Sequence, residues 1–203
     1  MKNILKIFTL IILFLTAGSN FCYAQNVGET APNIKAKDIT GKDFNLEEKR
    51  GNIIVLEWNN PTCPFVRKHY ETNNIQNLQK TYTEKGVIWI TINSSAEGRE
   101  GFFKNDIDAK GWFEASKLFA THYIRDQFGE IGREYRATTT PQFYIINKNG
   151  EIAYSGAVDN IPSASKSDVE KAENYISKAL DELLAEKEVT KKITSPYGCS
   201  VKY

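Results

Sequence analysis

The chain has 203 residues, 41% hydrophobic and 25% charged, with a formal net charge of +1. The length suits one domain with a full core, and the near-neutral balance gives no reason to expect nucleic acid or an acidic surface as a partner. Histidine is scarce, and His69 and His122 lie too far apart in sequence, with too little company, to read as a metal site, so no metal or cofactor is expected.

Residues 1–24 read as a signal peptide. Lys2 and Lys6 form a positive n-region, Ile7 to Ala17 an apolar stretch too short to span a bilayer comfortably, and Cys22-Tyr23-Ala24 places small residues at −3 and −1. Cleavage is expected before Gln25, which makes the protein exported, periplasmic or secreted, with no stable membrane anchor. Ser19-Asn20-Phe21 is a poor lipobox, so Cys22 is expected to leave with the leader. Cys63 and Cys199 remain, and a pair of cysteines in an oxidising compartment is a disulfide candidate.

From Gln25 the chain divides into a domain over 25–190 and a tail over 191–203. Ile34–Ile39 and Asp43–Leu46 flank Thr40-Gly41-Lys42, which predicts an N-terminal hairpin. The apolar run Asn52–Leu56 reads as a strand buried on both faces and continues to Trp58. A helix opens at Cys63-Pro64, falters at Thr72-Asn73-Asn74, resumes through Ile75, Leu78 and Tyr82, and stops at Gly86. Val87–Ile92 is a second buried strand, so 52–92 is a βαβ unit with parallel strands. Ser95–Lys110 predicts a loop and a helix around Phe102, Phe103 and Ile107. A short strand at His122–Ile124 and a short helix at Ile131–Tyr135 follow. Gln142–Ile146 and Glu151–Tyr154 form a hairpin about Asn149-Gly150. Ser167 and Glu170 read as a capping box for a last helix whose apolar face is Val169, Ala172, Ile176, Leu180, Leu183 and Leu184. The tail beyond Val189 has no periodicity.

The stretch Glu57-Trp58-Asn59-Asn60-Pro61-Thr62-Cys63-Pro64-Phe65-Val66-Arg67 concentrates the chemistry. A cysteine where a buried strand gives way to a helix lies in the positive field of the helix N-terminus, which favours thiolate and makes the sulfur nucleophilic. The plain alternative is an inert half-buried cysteine or one arm of a structural bridge. Arg67, four residues on, can add positive charge on the same helical side or serve as a solvated surface cation. Glu57 interrupts an apolar strand. It is either a strand-end residue reaching water or a buried carboxylate with a raised pKa fit for proton transfer. His69, two turns into the helix, reads as a surface residue. Asn93-Ser94-Ser95 fits a glycosylation sequon.

The strand ending at Glu57-Trp58, the helix opening at Cys63-Pro64, Thr140-Pro141 and the Asn149-Gly150 hairpin together resemble the thioredoxin superfamily. The chain is most similar to peroxiredoxin-like redoxins with a CPFV-type motif and a GCS-x-K ending, related to the alkyl hydroperoxide reductase and thiol-specific antioxidant proteins. The resemblance implies an α/β, thioredoxin-like fold: a central mixed β-sheet flanked by helices, with the N-terminal hairpin as an extension. It places Cys63 as the attacking cysteine, Glu57 where thioredoxins keep a proton-moving carboxylate, and Pro141 as a cis-proline lining a substrate groove with Thr140 and Pro64. The chain departs from both parent patterns. Val66 stands where Cys-x-x-Cys has its second cysteine, and Leu56 and Asn60 stand where Pro-x-x-x-Thr/Ser-x-x-Cys needs its proline and hydroxyl.

Cys199 supplies three readings: a resolving cysteine for Cys63, an intermolecular bond, or a permanent bridge whose long loop would contribute ~4–5 kcal/mol. The expected function is therefore an exported thiol oxidoreductase acting on a protein thiol or disulfide partner or on a peroxide. The rival is a non-catalytic binding module stapled by Cys63–Cys199.

Overall fold

The computed structural model describes residues 27–203, so the expected signal peptide, its cleavage site and Cys22 lie outside the described residues. In chain order the elements are β1 (Lys35–Lys37), β2 (Asp43–Asn45), β3 (Ile54–Trp58), α1 (Pro64–Glu71), α2 (Asn74–Thr83), β4 (Ile88–Asn93), α3 (Asp106–Ala115), β5 (His122–Arg125), α4 (Glu130–Glu134), β6 (Thr139–Thr140), β7 (Gln142–Ile146), β8 (Ile152–Gly156), α5 (Tyr175–Leu184) and β9 (Cys199–Ser200). The central sheet runs β5-β4-β3-β7-β8. The β3–β4 and β4–β5 pairs are parallel, and the β3–β7 and β7–β8 pairs antiparallel.

Strand β3 is the axis of this sheet, and every one of its residues is buried. Its pleat sends alternate side chains into two cores. Ile54, Leu56 and Trp58 pack with Phe44, Ile90, Ile92, Ile124 and Tyr144 beneath the hairpin β1–β2. Val55 faces the other way, into a core that holds Cys63, Val66, Tyr70, Ile75, Trp89, Phe143, Ile176 and Leu180, under α1, α2 and α5. Helices α1 and α2 are separated by Asn73 in the left-handed conformation (φ 57°), the break foreshadowed by Thr72-Asn73-Asn74. The hairpin is fastened to β5 by the buried pair His122 Nδ1–Asp38 Oδ2 at 2.8 Å and by Ile39 N–H donating to the Tyr123 carbonyl.

Two expectations are corrected. The helix expected around Phe102, Phe103 and Ile107 spans Asp106–Ala115; the two phenylalanines precede it, and Ile107 is exposed. The last α-helix does not begin at Ser167. Residues Lys166–Lys171 form a separate 3-10 turn, and α5 starts at Tyr175 with Asn174 as its N-cap, whose side chain accepts from Ser177 N–H at 2.9 Å. Val169 and Ala172 therefore lie outside its apolar face. The aperiodic tail contributes one element besides, β9, paired antiparallel with β6.

Candidate active site

The carboxyl ends of β3 and β4 and the N-terminus of α1 meet where the chain turns at Asn59–Cys63. Asn60 holds that turn. Its side-chain oxygen accepts from the Thr62 N–H at 2.9 Å and the Thr62 hydroxyl at 2.8 Å, while its amide donates to Ser95 Oγ and the Glu100 carbonyl. The residue at the −3 position thus fastens one loop to another. Leu56, at −7, is fully buried in the core beneath the hairpin.

Cys63 is the N-cap of α1, with Pro64 at the first helical position, where a missing N–H costs nothing. Its thiol is 2% exposed and approaches the Thr140 carbonyl at 3.1 Å, just before the cis Thr140-Pro141 peptide. On its other side lies Cys199, with the two sulfurs 2.7 Å apart and both cysteines free. Strand β9 makes that meeting possible, because Cys199 pairs with Thr140 in the β6–β9 ladder. Burial pushes the Cys199 thiol up to about 12, and the neighbouring Cys63 sulfur adds to the effect. The fold therefore brings Cys63, Cys199, Thr140 and Pro141 to one point, and Pro64 sits in the same turn.

Glu57 is buried, which removes the reading of a strand-end residue reaching water. Tyr70 O–H donates to its Oε1 at 2.5 Å. Its Oε2 accepts from Trp89 Nε1 at 2.8 Å, Gln79 Nε2 at 3.1 Å and the Thr91 hydroxyl at 3.3 Å. Burial raises its pKa, and these four hydrogen bonds offset only part of that rise. Burial beside Glu57 also holds the Tyr70 phenol far above its ordinary value. Arg67 is placed elsewhere. Its guanidinium is largely exposed and closes a 2.8 Å ion pair with Glu71, one turn on, rather than a contact with the sulfur.

A second buried polar group escaped the sequence reading. His69 is fully buried, not a surface residue, because α1 turns it inward beneath the tail. There it meets Asp159, the Asn74 amide and Tyr197, whose hydroxyl donates to Asp159 Oδ1 at 2.5 Å. Lys68, equally buried, lies 3.5 Å from Asp159 Oδ2 and donates to the Ile161 carbonyl. Burial lowers the His69 pKa to about 4, with Lys68 adding to the shift and Asp159 opposing it. Lysine and histidine in a surface-looking helix gave no signal of this. The one available hint was an aromatic residue two places before Cys199. The sequon asparagine, Asn93, is also buried, its side chain engaged with Gly101 O and Ser95 N–H.

Comparison with known proteins places the chain among the redoxins. Residues 27–155 match the model of the AhpC/TSA family. Thiol-disulfide oxidoreductase ResA of Bacillus cereus is 26% identical over 160 residues, covering 74% of this chain and 86% of that protein. Sporulation thiol-disulfide oxidoreductase A of Bacillus subtilis is 25% identical over 151 residues, covering 72% and 86%. Among solved structures, an uncharacterized conserved protein from Geobacillus kaustophilus aligns with a TM-score of 0.73 at 26% identity, over 88% of this chain and 93% of that one. The fold is thioredoxin-like.

Proposed function

The chain belongs to the AhpC/TSA family, and from that membership we propose that it is a thiol-dependent oxidoreductase that carries out thiol–disulfide exchange through Cys63, with Cys199 as the resolving thiol. The observation that carries this reading is the 2.7 Å approach of the two sulfurs at a strand-to-helix junction. The names of the ResA and sporulation oxidoreductase relatives support thiol–disulfide exchange. The placement of Leu56 and Asn60, away from any peroxide-orienting role, favours exchange over peroxide reduction.

The chemistry balances on the two cysteines. The Cys63 thiolate attacks one sulfur of a substrate disulfide, forming a mixed disulfide and releasing the other half as thiolate. Cys199 then loses its proton and attacks the Cys63 sulfur. The Cys63–Cys199 bond forms and the second half of the substrate leaves. Two electrons and two protons have passed from the cysteine pair to one substrate disulfide, and the reverse sequence oxidises a partner dithiol. Burial raises the Cys199 pKa, and bonding of Cys63 to substrate removes only the smaller share that the neighbouring sulfur adds. Glu57, buried on the Cys63 side of the sheet with its pKa raised by burial, is the carboxyl group that exchanges a proton as the thiols change state. Thr140 and Pro141 shape the approach to the sulfur. Arg67, held by Glu71, is given no step.

Export rests on the pattern of residues 1–24; among the described residues no helix is long and apolar enough to cross a membrane. N-terminal sequencing of the mature protein should begin at Gln25. The exchange reading is tested by adding a small disulfide to the reduced protein. It should release both substrate halves from the wild type but only one from Cys199→Ser, whose Cys63 keeps the other. Release of neither by the wild type would refute it.

A further inference from the structure

Strand β9 does more than carry Cys199. It lies on the main-chain edge of β6, with Cys199 opposite Thr140 and Ser200 opposite Thr139, and Val201 N–H continues the pairing to the Thr138 carbonyl at 3.0 Å. An extended peptide adds to a sheet by the same main-chain pairing. The segment is also fitted on both sides of the cysteine. Upstream, Gly198 (φ +143°) lies so near β6 that a Cβ there would stand 2.0 Å from the Thr140 carbonyl oxygen. Tyr197 anchors this end: its hydroxyl is bound to Asp159, its ring stands edge-on to Phe65, and Lys68 Nζ lies 5.6 Å from the ring centroid. Downstream, Ala96 N–H donates to the Lys202 carbonyl and Tyr203 O–H to the Ala137 carbonyl, both at 2.8 Å. The Tyr203 ring lies under the Arg133 guanidinium, and a Cβ on Gly129 or Gly132 would come within 2.4 Å of the Tyr203 side chain.

We infer that residues 197–203 are a built-in occupant of the substrate edge and that this sets the substrate class of the closed protein. With β9 seated, the Thr138–Thr140 main chain is spent, and the buried Cys63 sulfur leaves room at most for disulfides small enough to need no strand pairing. An extended protein cysteine engages only when it displaces β9. The strand that delivers the resolving thiol is thus also the strand that excludes the larger substrate. This deepens the exchange reading and rests on it for the chemistry of Cys63.

The test separates occupancy from thiol chemistry. A labelled synthetic peptide of residues 195–203 carrying Cys199→Ser is titrated, by fluorescence anisotropy, into the reduced full-length protein. It is titrated in parallel into two full-length variants that unseat the strand, Gly198→Val and Tyr197→Ala. Binding at least about tenfold tighter to either variant than to wild type, roughly the worth of one or two main-chain hydrogen bonds, is the result expected. Equal binding to all three, or binding to none, would overturn the inference. Failure of Cys63 to react with a small disulfide would instead count against the exchange reading and leaves this comparison intact.

Discussion

The sulfurs of Cys63 and Cys199 lie 2.7 Å apart although 136 residues separate them in the chain. The approach is fixed from both sides. Cys63 is held by the strand-to-helix turn that Asn60 locks, and Cys199 by its pairing with Thr140. Two free thiols so placed need little backbone movement to join, because the disulfide that replaces them has an S–S distance of about 2.05 Å.

Glu57 sets a pH dependence of stability. Its folded pKa is raised above the ordinary value of 4.5, so the folded state holds this proton more tightly than the unfolded one. The resulting stabilisation is present below pH 4.5 and is lost as pH rises through the folded pKa. Urea midpoints measured across that range should fall more steeply with rising pH for wild type than for Glu57→Gln. Parallel profiles would remove the buried, proton-holding carboxylate from the account.

His69 acts in the opposite sense. Its folded pKa of about 4 lies below the ordinary 6.5, so the stabilisation from the neutral ring is present above pH 6.5 and is lost as pH falls toward 4. Wild type should lose stability more steeply over that window than His69→Gln. At neutral pH, Tyr197→Phe should cost about 1.5–3 kcal/mol, the usual worth of a hydrogen bond to a charged group, since its hydroxyl donates to the buried Asp159 carboxylate. Chemical denaturation checks both.

The start of α5 gives a third contrast. Asn174→Ala should cost about 1 kcal/mol, because the side chain satisfies the Ser177 N–H. Ser167→Ala should stay within about 0.5 kcal/mol, since the Ser167 hydroxyl meets only the exposed Ser165 hydroxyl. The reverse ranking in thermal melts would restore the helix start expected from the Ser167–Glu170 spacing.

That spacing marks where local sequence signals stop being enough. The buried strands, the α1–α2 break at Asn73 and the hairpin turn at Asn149-Gly150 are all written in local chemistry: apolar runs, a left-handed asparagine and a turn dipeptide. Cys63 was legible for the same reason, since a cysteine followed by proline after a buried run marks a helix start. Ser167 misled because its pattern falls inside a 3-10 turn whose N-cap is Ser165, while the Asn174 side chain caps α5. Strand β9 is two residues long and exists only because β6 offers it an edge, so no periodicity could announce it. The burial of Lys68 and His69 depends likewise on Asp159 and Tyr197, distant residues that supply their partners. Arg67 read as a neighbour of the sulfur from its spacing alone, but Glu71 offers it a closer counter-charge.

The most direct measurement of the central claim is a single turnover of the fully reduced protein with a small disulfide, quenched by acid and mapped by peptide mass. The account predicts a Cys63–Cys199 bond in wild type, reducible by mild thiols, and a mixed disulfide on Cys63 alone in Cys199→Ser. It would be contradicted by substrate attached to Cys199 while Cys63 stays free. A Cys63–Cys199 bond with a potential below about −300 mV, resistant to mild thiols, would also contradict it and mark a fixed staple in a binding module.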